Sequence, residues 1–245
     1  MSGHSKWANI KRKKGANDAI RGKITTKIGR EITVAVRMGG SDPVGNMRLK
    51  LALSKAKANN IPKENIQRAI QKGLGGADGS NYEELVYEGY GPGGVAVMLD
   101  IMTDNRNRTA ADVRHLFGKN GGNLGETGCV GWMFKQKAVF VVEKETFDDE
   151  DALMDIVLEA GAEDMQAADD VFEITAEPAD FDAVATALGE KGIETASAEV
   201  TMVPDTTVKL TGKDAQKMLQ LVDALEEHDD VQNVYANYEI DEDIE

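Results

Sequence analysis

Lys6, Trp7, Lys11, Arg12, Lys13, Lys14, Arg21, Lys23, Lys27 and Arg30 have the types and spacing of a nucleic-acid contact surface. Nine of them are long cations, which is what neutralising a ladder of phosphates requires. A merely solubilising face would mix both signs, but Asp18 and Glu31 are the only acids in residues 1–37. Trp7 is the only aromatic in residues 1–72. Base-stacking platforms need several, so the pattern points to backbone contacts and away from single-strand reading. A competing reading docks this basic segment on an acidic part of the same chain or of a neighbour.

Two further clusters could hold an anion or a base. Asp104-Asn105-Arg106-Asn107-Arg108-Thr109 precedes a predicted helix, where Arg106, Arg108 and unpaired N–H groups could bind a phosphate or carboxylate. The competing reading there is a capped structural loop. Residues 43–72 read as two helices around Asn59-Asn60-Ile61 and faintly resemble a helix-turn-helix, with Asn65, Arg68 and Lys72 on one exposed face.

Catalytic chemistry finds no foothold. Gly89-Tyr90-Gly91-Pro92-Gly93-Gly94 matches GxGxxG, but a dinucleotide site needs a helix directly after it, and Val95-Ala96-Val97-Met98-Leu99 reads as strand. A hairpin turn is expected instead. His4, His115, His228 and Cys129 lack ligand spacing, so neither a metal nor a cofactor is expected. The acidic run Asp148-Asp149-Glu150-Asp151 sits where carboxylates favour a helix start. With no P-loop and no nucleophile elbow, no catalytic residue is assigned and the chain reads as a non-enzyme.

The net charge of −15 over 245 residues conceals a division. Residues 1–72 hold 17 Lys and Arg against 4 Asp and Glu, leaving 11 basic and 39 acidic side chains in the remainder. Exposed charges more than about 8 Å apart are largely screened at physiological salt, so a basic module on an acidic body can still bind phosphate. No apolar run is long enough to span a bilayer, and no apolar stretch follows the basic start as in a secretory signal. Residues 1–17 contain no acid, like a mitochondrial transit peptide, but they run into predicted helix without a cleavage-like break. A single cysteine suits a reducing compartment. A cytoplasmic protein without membrane contact is therefore expected.

The elements that would position these groups follow from periodicity. At about 100° per residue, Ile20, Ile24, Ile28, Ile32, Ala35 and Met38 share one arc of a helix over residues 17–38, while Lys23, Lys27, Arg30 and Arg37 share another that should face outward. Asp42-Pro43 should start a second helix to Ala58, and Pro62 to Lys72 form a third. Strands are expected at Tyr82–Tyr90 and Val95–Thr103. A helix capped by Thr109 and Asp112 should follow, then a flexible loop with five glycines from Gly121 to Gly131. From residue 137 the order strand, helix, strand, strand, helix, strand has the ferredoxin-like βαββαβ arrangement. Its two helices end in the echo Glu159-Ala160-Gly161-Ala162-Glu163 and Glu190-Lys191-Gly192-Ile193-Glu194, where each glycine suits the left-handed position. A final helix (Lys213–Glu227) and strand (Val231–Tyr238) could return to the sheet begun at Tyr82.

Gly3-His4-Ser5-Lys6-Trp7-Ala8-Asn9-Ile10, Arg21-Gly22-Lys23, Tyr87-Glu88 with the glycine turn, Asp104 to Thr109, and Gly121-Gly122-Asn123-Leu124-Gly125 together resemble the YebC/PmpR family over nearly the whole chain. The resemblance implies a helical first domain and two α+β domains, the third inserted into the second. It also implies a bacterial cytoplasmic protein usually described as a probable transcriptional regulator that binds DNA, with relatives acting in translation at the ribosome. Ile20, Thr25 and Gly29 depart from the family's usual residues.

The resulting expectation is a multidomain α+β protein. It has a basic helical domain at 1–76, a discontinuous α+β domain at 77–135 plus 206–240, a ferredoxin-like α+β domain at 136–205, and an acidic tail at 241–245. Its expected function is a DNA-binding transcriptional regulator. The alternatives are an RNA- or ribosome-associated translation factor and a protein–protein adaptor using the acidic domains.

Overall fold

A computed structural model describes Trp7, Ile10, Lys11 and residues 18–75, 81–168 and 170–240, without the side chains of residues 18–20. Lys6, Arg12, Lys13, Lys14 and the acidic tail lie outside the described residues. The chain forms two compact units, Gly15–Gly131 with Leu210–Ala236, and Trp132–Lys209 with Met1–Lys14 and Asn237–Glu245.

The first unit begins with three helices, α1 (Asp18–Gly39), α2 (Met47–Ala58) and α3 (Lys63–Gly73). Ile28, Ile32, Ala35 and Val36 of α1 bury themselves against Leu49, Ala52 and Ala56 of α2 and Ala69 of α3, with Ile24 alongside. From Ile24 to Ala35 the predicted apolar arc is thus the packed one. Met38, one residue from the helix end, is 70% exposed. The start of α2 falls later than the Asp42-Pro43 signal suggests. Asp42 instead accepts from the Val44 N–H in a turn, and Asn46 caps the helix by accepting from Leu49 N at 3.1 Å. The same Asn46 amide donates to the carbonyls of Ala35 and Gly40, so one side chain fixes the α1–α2 turn and starts α2. Gly73 permits close approach of α3 to α1, since a Cβ there would lie 2.7 Å from the Thr33 carbonyl oxygen and 2.6 Å from Val36 Cβ.

The same unit continues as a four-stranded sheet of order β3-β1-β2-β9. Strands β1 (Glu83–Tyr90) and β2 (Ala96–Thr103) pair antiparallel from Glu83↔Thr103 to Tyr90↔Ala96, so the glycine motif is the expected hairpin turn. β3 is the short Asn123–Leu124, and β9 (Val231–Ala236) returns antiparallel to β2 after α7 (Gly212–Glu227). Between β2 and β3 lies α4 (Arg106–Lys119), which starts three residues before the predicted Thr109 cap. Asn105 is the cap, accepting from Arg108 N at 3.1 Å. Thr109 is fully buried inside the helix.

The second unit holds β4 (Phe134–Glu143), α5 (Glu150–Glu159), β5 (Ala162–Ala167), β6 (Val171–Ala176), α6 (Phe181–Glu190) and β7 (Ser197–Pro204). Sheet order β5-β6-β4-β7 with antiparallel neighbours is the ferredoxin-like arrangement. Phe140 of β4 stacks on Phe181 at the start of α6, with ring centroids 5.1 Å apart. Gly161 and Gly192 take φ of 106° and 69° after their helices, as the repeated phrase in the sequence requires. Short strands β8 (Val208–Leu210) and β10 (Tyr238–Ile240) pair with one another.

Candidate nucleic-acid interface

The cations of α1 do not form a solvated stripe. Lys23 Nζ donates to the Glu227 carbonyl at 2.8 Å and Lys27 Nζ donates to that of Glu226. Arg30 Nη1 donates to the Asp229 carbonyl at 2.9 Å and to Asp230 Oδ1 at 3.1 Å. The reason is the C-terminus of α7. The last carbonyls of a helix have no partner within it and carry the negative end of its dipole. α7 has no basic residue in its own last turn, so α1 supplies the cations. Val34 lies in the same arc of α1 as these cations and is only 6% exposed, as a covered face requires.

Asp230 is the centre of this junction. Its carboxylate accepts from Arg30, from Arg108 at 2.9 Å and from Thr109 at 2.9 Å, with Thr103 Oγ1 at 3.4 Å. Burial pushes the Asp230 carboxyl up, but hydrogen bonds from Arg108, Thr109 and Arg30 outweigh it and hold the group below its ordinary value. Arg108 also pairs with Asp104, so this half of the proposed Arg106/Arg108 anion site already holds two carboxylates of the chain itself. Arg106 is exposed, and its carbonyl receives the Tyr87 hydroxyl at 3.4 Å.

The glycine loop is likewise organised round an internal carboxylate. Glu88 of β1, 4% exposed, accepts from the backbone N–H of Gly128, Val130 and Gly131. The loop expected to be flexible is thus held by a carboxylate, of which glycines alone give no sign because it lies forty residues upstream.

In the second unit, Trp7 is 5% exposed and packs on Val141 and Val171, with Ile10 against the same cluster. Lys11 pairs with Asp170 and sits 5.5 Å from the Trp7 ring centroid. Burial pushes the Asp170 carboxyl up, yet its bond to Lys11 pulls it below the usual range. In the sequence Trp7 belongs to the expected contact surface only because it stands within the cationic segment. It is core because a valine-rich surface of the ferredoxin-like sheet accepts it.

A different basic surface remains. Arg30, Arg37, Asn65, Arg68, Lys72 and Tyr82, with Thr25, Thr26 and Thr33, line a cavity of about 310 Å³ between α1 and α3, and no carboxylate lines it. Thr33 Oγ1 lies 3.1 Å from the Ala69 carbonyl, where small residues bring the helices together. Arg30 forms one wall, its guanidinium 4.9 Å from the Tyr82 ring centroid. Arg37, Arg68 and Lys72 are exposed. The sequence did place Asn65, Arg68 and Lys72 on one face; it could not show that Arg37 lies opposite them.

Among the described residues no helix is long and apolar enough to cross a membrane, and no group of three or more His, Cys, Asp and Glu side chains could hold a metal ion.

A basic three-helix region preceding two α+β sheets, one of them ferredoxin-like, defines the architecture to which known proteins can be compared. Residues 5–76 match the TACO1/YebC protein N-terminal domain and residues 82–238 the TACO1/YebC second and third domain. The chain belongs to the TACO1/YebC family. It is 63% identical over 243 residues to a "probable transcriptional regulatory protein" of Pelotomaculum thermopropionicum, covering 99% of this chain and 100% of that one. It is 58% identical to a protein of the same description in Desulforamulus reducens, covering 98% and 99%. Its fold is similar to the crystal structure of a conserved hypothetical protein from Aquifex aeolicus, with a TM-score of 0.81, 47% identity and 93% coverage of each chain.

Proposed function

We propose that this protein is a cytoplasmic, non-enzymatic regulator of transcription that binds DNA through the phosphates facing its helical region. One observation carries the reading. Arg21, Arg37, Lys50, Lys55, Lys57, Lys63, Arg68 and Lys72 are exposed there, against Asp42 and Glu64 as the exposed acids of residues 21–75. In the same unit Lys23 and Lys27 donate to backbone carbonyls, and Arg30 and Arg48 pair with carboxylates. The description carried by the relatives from P. thermopropionicum and D. reducens supports a regulatory role. Lys6, Arg12, Lys13 and Lys14 are proposed as further phosphate contacts, whereas Trp7 and Lys11 are engaged by the ferredoxin-like sheet and Asp170.

Binding of the full chain to a duplex DNA and to an RNA of the same sequence, measured across a salt series, tests the proposal. With about five phosphate contacts, log K against log salt should slope at roughly −4 to −5 on duplex DNA. Tighter, steeper binding to the RNA would move the role to translation. No salt-dependent binding to either would end the nucleic-acid reading and leave an adaptor.

A further inference from the structure

We propose that the groove between α1 and α3 is the phosphate grip of that surface, taking about three consecutive phosphates of one nucleic-acid strand. The inference rests on the nucleic-acid reading above and adds its location and footprint.

Three concave or cationic places in the first unit compete for the role, and two are already filled. Arg30 and Arg108 converge on Asp230, which neutralises them. The ring of N–H groups at Gly128, Val130 and Gly131 encloses the Glu88 carboxylate. The α1–α3 groove has cations on both walls and no carboxylate among its lining residues. Among the described residues, no ion pair holds Arg68 or Lys72, which extend from α3 into solvent.

The spacing fits a nucleic-acid backbone. Arg30 to Arg37 and Asn65 to Lys72 each span seven residues, or about 10.5 Å of helix. Phosphates of one strand advance about 3.4 Å each along a B-form axis, so the groove matches roughly three. Arg37, Arg68 and Lys72, all exposed along the groove, place three cations opposite them. Arg30, fixed between Asp230 and the Tyr82 ring, makes a wall and not a grip. Asn65, half-buried on the same side of α3, can donate to a sugar or base edge without adding charge. The phosphodiester is common to DNA and RNA, so each is an arm of the test.

The full chain is compared with two triple variants that lose the same charge, Arg37→Gln/Arg68→Gln/Lys72→Gln in the groove and Lys50→Gln/Lys55→Gln/Lys57→Gln on α2. Binding is measured against salt on a DNA duplex and on an RNA, and thermal melting confirms that both variants fold. The groove variant should flatten the DNA slope by about 2 to 3, equivalent to roughly 40-fold less affinity change over a fourfold salt range. The α2 variant should flatten it by less than 1. Equal flattening by both variants would overturn the groove as the grip while leaving a diffuse basic surface. A wild-type chain that binds with full salt dependence while neither variant changes it would overturn the groove and the helical surface together. A change confined to the RNA arm keeps the groove and overturns the choice of DNA.

Discussion

Lys23, Lys27 and Arg30 stand on the same helix as Arg37, yet they serve opposite ends. The first three meet the carbonyl oxygens that close α7 and the carboxylate of Asp230. Arg37 looks into a groove that also receives Arg68 and Lys72. All four share one arc of α1; what differs is that the end of α7 and Asp230 lie beside the first three and the groove beside Arg37. A helix end without its own basic residues collects cations from the neighbouring helix, while Arg37 stays exposed at the groove. A basic stripe in a sequence therefore cannot be assigned to an external ligand until the internal acceptors are counted.

The comparison breaks most severely at Asp230. Replacing it by Ala removes the carboxylate that gathers Arg30, Arg108 and Thr109, leaving cations without their partner in a site where Asp230 is 6% exposed at its side chain. Breaking a fully buried pair costs about 3 to 5 kcal/mol; because Arg108 is half-exposed, the loss should lie at or below the lower end of that range, read as a fall in Tm or denaturant midpoint. The acid limb reads the same interaction. Because the native pKa lies below the ordinary value, the contribution of Asp230 is complete above about pH 4 and is lost as pH falls through the native value. Stability of Asp230→Asn should decline less steeply than wild type below pH 4; parallel acid limbs would show that other carboxylates govern that decline.

Glu88→Gln tests whether the second internal anion is equally structural. The amide still offers one acceptor oxygen, but its NH₂ would face a backbone donor among Gly128, Val130 and Gly131. A loss of about 2 kcal/mol is expected, with faster amide exchange confined to the glycine loop. Unchanged exchange there would mean that strand pairing, and not the carboxylate, orders the loop.

Much of this arrangement was legible in the chain. The period of Ile24, Ile28 and Ile32 located the packed face of α1, and the Gly161/Gly192 echo located the duplicated strand–helix unit. The order of predicted elements also led to a ferredoxin-like sheet, because local pattern and loop length restrict the connections. Long-range pairing was not legible. Nothing near Lys27 says that residue 226 will lie beside it, and nothing near Glu88 announces Gly131 as its donor. Trp7 misled for the same reason, since its burial depends on Val141 and Val171. Cap position failed locally: Asn46 and Asn105 outcompeted Asp42 and Thr109, each by accepting from the N–H three residues on.

Lys27→Gln should have a smaller effect than either carboxylate substitution. Lys27 is a cation at the end of another helix, where such contacts contribute about 0.3–1 kcal/mol and weaken with salt. Melting at low and high salt should show the difference between variant and wild type shrinking as salt rises. A salt-independent loss would instead identify the packing of its methylene stem as the main contribution.

The smallest effect on stability belongs to the groove, and it is what makes the two cation groups separable. Arg37, Arg68 and Lys72 are exposed, and exposed substitutions usually change stability by less than about 0.5 kcal/mol each. All three lie in a strongly basic region, so removing charge also relieves repulsion. Arg37→Gln/Arg68→Gln/Lys72→Gln should therefore melt within a degree or two of wild type at low salt, or slightly above it, even though its binding is altered. Lys23→Gln/Lys27→Gln should show the reverse pattern, with a lower melting temperature and a nearly unchanged salt slope for nucleic acid. If the groove variant loses stability as Lys23→Gln/Lys27→Gln does, its cations are also structural, and the distinction drawn along α1 fails.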